Sequence, residues 1–207
     1  MPEFNMTNTE EMEMIKRWWN NYGKYIAVVV LIALLAGFGW RYWKHHKLVY
    51  AQQASLLYEQ LNIAASQKRP KLARSLAAQL LNKYSDSPYA AMASLWWAQQ
   101  LVQKNKLNAA YQKCHWVIEH SPVKRFKQVA RLRASRILLA KNNPQAALKM
   151  LSKTDDTTFQ PAIDEAKGDL YTAMKKPAAA HKAYKLAKTG FSVAGMNNPI
   201  LTMKLAQ

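Results

Sequence analysis

The longest uninterrupted apolar run is Tyr25–Trp40, YIAVVVLIALLAGFGW, bounded by Lys24 and Arg41. Its sixteen uncharged residues span roughly 24 Å as a helix, slightly less than the ~30 Å hydrocarbon core of a bilayer. The flanks supply the remainder. Trp18, Trp19, Tyr22 and Tyr25 lie at one end, and Trp40, Tyr42 and Trp43 at the other, with Lys24, Arg41 and Lys44 within snorkelling reach. A core helix of a soluble protein has no reason for aromatic and basic flanks at both ends, so the pattern predicts a membrane anchor over 25–43. RYWKHHK follows the run where a signal peptide would need small residues, so the anchor is expected to stay uncleaved. Ala33 and Gly37, four apart, would let a second helix approach closely. Residues 1–24 form a short preceding segment. Thr7 and Glu10 have capping-box spacing, and Met12, Ile15, Trp19 and Tyr22 recur at helical intervals. An interfacial helix and a frayed tail both fit.

Residues 44–207 read differently. Ala, Leu, Gln and Lys dominate, Val and Ile are sparse, and no alternating run of strand length occurs. Breaks fall at helix-length intervals: Arg69-Pro70, Ser85 to Pro88, Asn105, Ser121-Pro122, Asn142 to Pro144, Pro161, Pro177 and Gly190. The prediction is all-α, a run of antiparallel helices of roughly 12–18 residues each. Three stretches share one internal spacing. Gly168 is followed by Ala180, Ala134 by Ala146 and Ala98 by Ala110, twelve residues apart in each case. Tyr184, Met150 and Cys114 then hold equivalent core positions. This small-against-large pattern is that of tetratricopeptide helix pairs stacked into a superhelix. Residues 47–87, with Tyr58, Ala73 and Ala77, fit it poorly, as an end unit does. Residues 195–207 are expected to form a short capping helix. A non-repeat helical bundle is the competing architecture.

Charge narrows the function. The 207 residues carry 30 Lys+Arg against 12 Asp+Glu, a net charge of +18. Residues 48–207 alone hold 24 of the basic and 8 of the acidic residues. Such a surface favours anionic partners, lipid headgroups or an acidic protein, and an anchored chain disfavours nucleic acid. Lys16, Arg17 and Lys24 precede the span and Arg41, Lys44 and Lys47 follow it, three against three, so charge does not orient it.

Nothing in the sequence nominates a catalytic group or a cofactor. HExxH, GxSxG and P-loop patterns are absent. Cys114 and His115 are adjacent, hence on different sides of a helix, and cannot form a nucleophile–base pair. His115 and Glu119 have the spacing of a surface contact. Asp155-Asp156 reads as a helix start, and no metal site is expected. The candidate sites are surfaces. One is a groove along the first helices of successive pairs, lined by Met92, Leu95, Gln99 and Gln103, then Arg131, Ser135 and Leu138, with Trp96 and Trp97 beside it. The other is a basic surface of Lys124, Arg125, Lys127 and Arg131, on a stretch that continues through Arg133, Arg136 and Lys141 without an acid. A docking face for an acidic partner and a merely solvated face both fit it.

The arrangement resembles a known family. The span ending Gly39-Trp40-Arg41-Tyr42-Trp43, then Ala51-x2-Ala54-Ser55-Leu56-x-Tyr58, then Ala93-Ser94-Leu95-x2-Ala98-Gln99-Gln100-x3-Lys104-Asn105 and Ala134-x-Arg136 with Ala146-Ala147-Leu148, resemble the YfgM-type ancillary subunits of the bacterial SecYEG translocon. The resemblance implies a single-pass inner-membrane protein, with a cytoplasmic N-terminus and a periplasmic repeat domain. It also implies association with SecYEG and a PpiD-like chaperone during export, with no catalytic residue. A membrane-anchored repeat scaffold for an envelope complex unrelated to secretion is the alternative.

Overall fold

The computed structural model describes residues 8–196 and 198–205, without the side chains of 8–11, 26, 27, 30 and 33. The Thr7–Glu10 capping box and the Ala33 half of the small-residue pair lie outside that description. The chain divides into two units at Tyr50/Ala51. Helix α1 (Asn8–Ser66) supplies the first unit and the opening helix of the second.

In the first unit the described apolar side chains have nothing to bury against. Val28, Val29, Leu31, Ile32, Leu34, Leu35 and Phe38 are all exposed. At the flanks, Trp18 packs on Tyr22 (6.1 Å between centroids) and Trp40 on Trp43 (5.5 Å), with the Lys47 ammonium 3.7 Å from the Trp43 ring. Among the described residues, no helix is both long and apolar enough to cross a membrane. Ile26, Ala27, Val30 and Ala33, four of the sixteen residues in the apolar run, are outside that count.

The second unit is all-helical among its described residues: the end of α1, then α2 (Pro70–Lys83), α3 (Pro88–Gln103), α4 (Leu107–His120), α5 (Lys124–Ala140), α6 (Pro144–Met150), α7 (Gln160–Ala173), α8 (Pro177–Val193) and α9 (Pro199–Leu205). Proline opens α2, α3, α6, α8 and α9, where its missing N–H costs nothing. Ser87 and Asn143 cap α3 and α6 by accepting from the N–H groups of Ala90 and Ala146, at 3.1 Å each.

One turn recurs within each pair. Lys68, Asn105, Asn142 and Lys175 all have φ between 53° and 57°, each two residues before the next helix begins. The following N–H reaches back five residues in every case: Arg69 to Ala64, Lys106 to Leu101, Asn143 to Leu138 and Lys176 to Tyr171, at 2.8–2.9 Å. This is a Schellman closure, which satisfies the last carbonyls of the first helix and sets the antiparallel return. Gly195 (φ 69°) repeats it between α8 and α9, with Met196 bonding to Phe191 at 2.9 Å. The region 47–87, which fits the small-residue pattern poorly, therefore contains a fourth helix pair with the same turn.

The core runs as a chain of clusters, not as one centre. Leu61, Leu76 and Leu80 fill the first; Leu95, Cys114, Val117 and Ile137 the second; Leu132, Leu151, Ile163 and Leu170 the third; Tyr184, Ala187 and Leu201 the last. Trp116 bridges the first two, and Tyr111 and Met150 the second and third. Each pair thus buries its apolar face against its neighbours, as expected of a solenoid.

Two expectations change. Helix α6 has only seven residues, well short of 12–18, whereas the seven-residue α9 is the short helix expected within 195–207. Helix α6 stops because Leu151 turns fully inward as its C-cap and the chain then diverts through the acidic loop. Ala146 is half-buried while Ala147 is completely buried, so the small residue of that second helix sits one position later than the spacing suggests.

Candidate interaction surface

Helix α5 organises the charge of the repeat unit. Its apolar residues Ala130, Ala134, Ile137 and Leu138 face the stack, and its cations fall on both sides of that face. Arg131 is drawn inward. Its Nε donates to Asp155 Oδ2 at 2.5 Å, and both side chains are 11% exposed. Asp155 is itself held in place, its backbone N–H donating to Oε1 of the fully buried Gln128 at 2.9 Å. Arg125 approaches Asp156 at 3.7 Å on the surface. Hydrogen bonds from the Thr158 hydroxyl and backbone N–H hold the Asp156 carboxyl below its usual range, with the Arg125 charge adding to them. Asp156 also caps the short 3-10 turn Thr157–Phe159, so the acidic pair starts a helix and carries two ion pairs as well.

The groove residues do not share one open face. Leu95, Ser135, Leu138 and Arg131 are buried between repeats. Met92 is half-buried, and Gln99 and Gln103 are exposed. Buried positions hold the stack together, which leaves Met92, Gln99 and Gln103 as the members that meet solvent. Trp96 and Trp97 are half-buried against the first cluster, and the Lys113 ammonium lies 4.1 Å from the Trp97 ring. Of the basic residues, Lys124 and Arg125 are exposed and Lys127 is half-buried.

A cleft that the residue spacing does not mark lies between α3, α4 and α5. It has a volume of about 350 Å³. Ala98, Val102, Leu107 and Ile137 make its apolar wall, and Gln99, Arg133 and Arg136 its polar edge. Arg133 is half-buried and donates through one Nη to the Leu95 carbonyl at 3.1 Å, which fixes its stem. Neither Arg133 nor Arg136 has a carboxylate partner among the described residues. The available signal was their i,i+3 spacing in a stretch almost without acids.

Cys114 lies beneath this cleft, wholly buried. Burial pushes its thiol up to about 11, against the opposing pull of the Arg133 charge, so it is a packing residue at neutral pH. His115 points elsewhere, with Nδ1 3.3 Å from Glu119. No group of three or more His, Cys, Asp or Glu is placed to hold a metal among the described residues.

At the far end α9 is latched by charge. Lys204 Nζ donates to Glu165 at 3.0 Å and to Asp169 at 2.7 Å, and the Tyr184 hydroxyl donates to Asp169 at 2.8 Å. Burial works against the ammonium, but the hydrogen bonds and charges of the two carboxylates outweigh it and raise its pKa.

Helix pairs joined by one recurring left-handed turn, with cores linked only to their neighbours and a short helix over the last face, define a helical-repeat protein. The chain belongs to the tetratricopeptide repeat-like domain family, whose model matches residues 16–207. It is 29% identical over 176 residues to a protein of Escherichia coli K12, covering 85% of this chain and 84% of that one. It is 25% identical over 185 residues to one of Haemophilus influenzae, covering 89% and 90%. It is also 25% identical over 197 residues to one of Neisseria gonorrhoeae, covering 95% and 94%. All three are named ancillary SecYEG translocon subunit. No solved structure matches the chain.

Proposed function

We propose that the chain is a membrane-anchored, non-enzymatic interaction protein that accompanies a SecYEG translocon. The near full-length similarity to relatives bearing that name carries the reading. Residues 25–43 anchor it in the bacterial inner membrane, supported by the apolar run and its double aromatic and basic flanks. Residues 1–24 are cytoplasmic, and the repeat domain from residue 44 onward is periplasmic. There it links the translocon to a PpiD-like chaperone as secreted chains emerge. A stack of helix pairs offers an extended surface of mixed apolar and polar character, which suits protein partners better than a small substrate.

Two measurements test this. Affinity capture of the tagged chain from detergent-solubilised membranes should recover SecY and a periplasmic chaperone; recovery of neither removes the translocon assignment. Protease added to spheroplasts should digest the repeat domain and spare the N-terminal segment. Full protection of the domain would overturn the topology.

A further inference from the structure

The cleft between α3, α4 and α5 combines features that one ligand class satisfies. Its wall is aliphatic and its edge holds two guanidinium groups, Arg133 and Arg136. They stand three residues apart on α5, and so project as neighbours from one helix face. The two carboxylates that reach α5 pair with other arginines: Asp155 with Arg131, and Asp156 with Arg125. From residue 87 to residue 154 the chain has twelve Lys and Arg and one acid, Glu119, which faces His115. Neither guanidinium at this edge is paired with a carboxylate among the described residues, which leaves both available to an anionic ligand.

We infer that this cleft binds an acidic segment of another polypeptide, seating one large apolar side chain against Val102, Leu107 and Ile137 while Asp or Glu side chains reach Arg133 and Arg136. In an extended segment, residues two apart share a face and lie roughly 7 Å from each other. An apolar residue followed two and four places later by acids thus presents all three to the cleft. The wall explains why charge alone is insufficient: an ion pair open to water contributes little, whereas an apolar side chain seated beside it excludes water and strengthens it. Arginine matches a carboxylate with two parallel N–H donors, and Arg133 is already oriented by the Leu95 carbonyl. The site depends on the cleft alone and holds whether or not the chain accompanies a translocon.

The test uses the full chain in detergent micelles and a fluorescein-labelled, amidated peptide, Ser-Phe-Ser-Glu-Ser-Glu-Ser, followed by fluorescence anisotropy. The labelled peptide should bind saturably. Replacing both Glu by Gln, or Phe by Ser, should weaken binding at least about tenfold, as should Arg136→Glu or Val102→Glu in the protein. Lys71→Glu, exposed on α2, should leave affinity unchanged, and added salt should weaken binding. Arg136 is exposed and has no ion-pair partner among the described residues, so an unchanged helical spectrum will accompany its loss of binding. Equal binding of the Gln peptide, or full affinity of Arg136→Glu, overturns the proposal. So does binding only by a Gln peptide with a free C-terminal carboxylate, because the cleft would then read chain ends and not acidic side chains.

Discussion

Gly168→Ala isolates the packing rule of this repeat in one methyl group. Gly168 lies in α7 under the ring of Tyr184, which is 5% exposed. A Cβ at this position would stand 2.3 and 2.4 Å from two ring carbons and 2.9 Å from a third. Carbon contacts settle near 3.5–4.0 Å, so the ring must withdraw by about 1.2 Å. Withdrawal also strains the Tyr184 hydroxyl bond to Asp169, the carboxylate that Lys204 shares. Overpacking costs about 1–3 kcal/mol and the weakened hydrogen bond about 1 more. Against this, Ala in place of Gly inside a helix gains about 1 kcal/mol. The net expectation is a loss of about 1–3 kcal/mol. Urea unfolding followed by far-ultraviolet circular dichroism measures it. The same change made in a Tyr184→Leu background, where no ring stands over the methyl, should be neutral or stabilising by up to about 1 kcal/mol. A neutral or stabilising Gly168→Ala in the unaltered background would refute the reasoning, since helix propensity alone would then account for the site.

Cys114 should resist alkylation by iodoacetamide in the folded state and react once urea unfolds the domain. Its pKa, ordinarily 9.0, is raised to about 11 in the fold. The unfolded chain therefore releases that proton first, and stability falls as pH rises from about 9 through about 11. Cys114→Ala should flatten this decline by about 2–3 kcal/mol across the window, and an identical slope in both proteins would contradict it. Asp155→Ala leaves the Arg131 guanidinium nearly buried without a carboxylate and should cost about 2–4 kcal/mol in urea unfolding. Asp155→Asn, which keeps an acceptor, should lose less; equal losses would mean that charge is irrelevant there. Lys204→Met should release α9 while the rest of the domain stays folded. Limited proteolysis read by mass spectrometry would then show faster cleavage within 194–205, and an unchanged rate would mean that Leu201 alone holds the helix.

The pairing of helices was legible because it rests on residue volume. Gly168 opposite Tyr184, and Ala98 opposite Ala110, are small residues whose spacing survives without any knowledge of the fold. The first pair was harder to read, because its defining feature is a backbone conformation. Asn105 and Asn142 are residues that tolerate positive φ, but Lys68 and Lys175 occupy the same conformation and carry no such mark. The short α6 was illegible for a related reason. Its sequence continues in helix-forming residues to Lys153, and only the inward turn of Leu151 and the docking of Asp155 on Gln128 end it. Both are tertiary events that local propensity does not record.

Charge shows the same division between local and long-range information. Lys124 to Lys141 reads as one basic face, yet its members have three fates. Arg131 is buried by an acid 24 residues further on, and Arg125 meets the neighbouring acid at the surface. Arg133 and Arg136 are left at an apolar edge. Among the described residues, the acids that pair with cations across helices lie between Asp155 and Asp169: Asp155 and Asp156 pair with Arg131 and Arg125 of α5, and Glu165 and Asp169 with Lys204. Residues 155–207 carry five acids against seven lysines, whereas residues 87–154 carry one acid against twelve Lys and Arg. The one acid between residues 87 and 154, Glu119, lies 3.3 Å from His115 within its own helix. An acidic partner is therefore attracted more strongly to residues 87–154 than to the later repeats of a chain whose net charge is +18. Neutralising Arg136 should then affect such a partner far more than neutralising any lysine of α8, although both remove the same single charge.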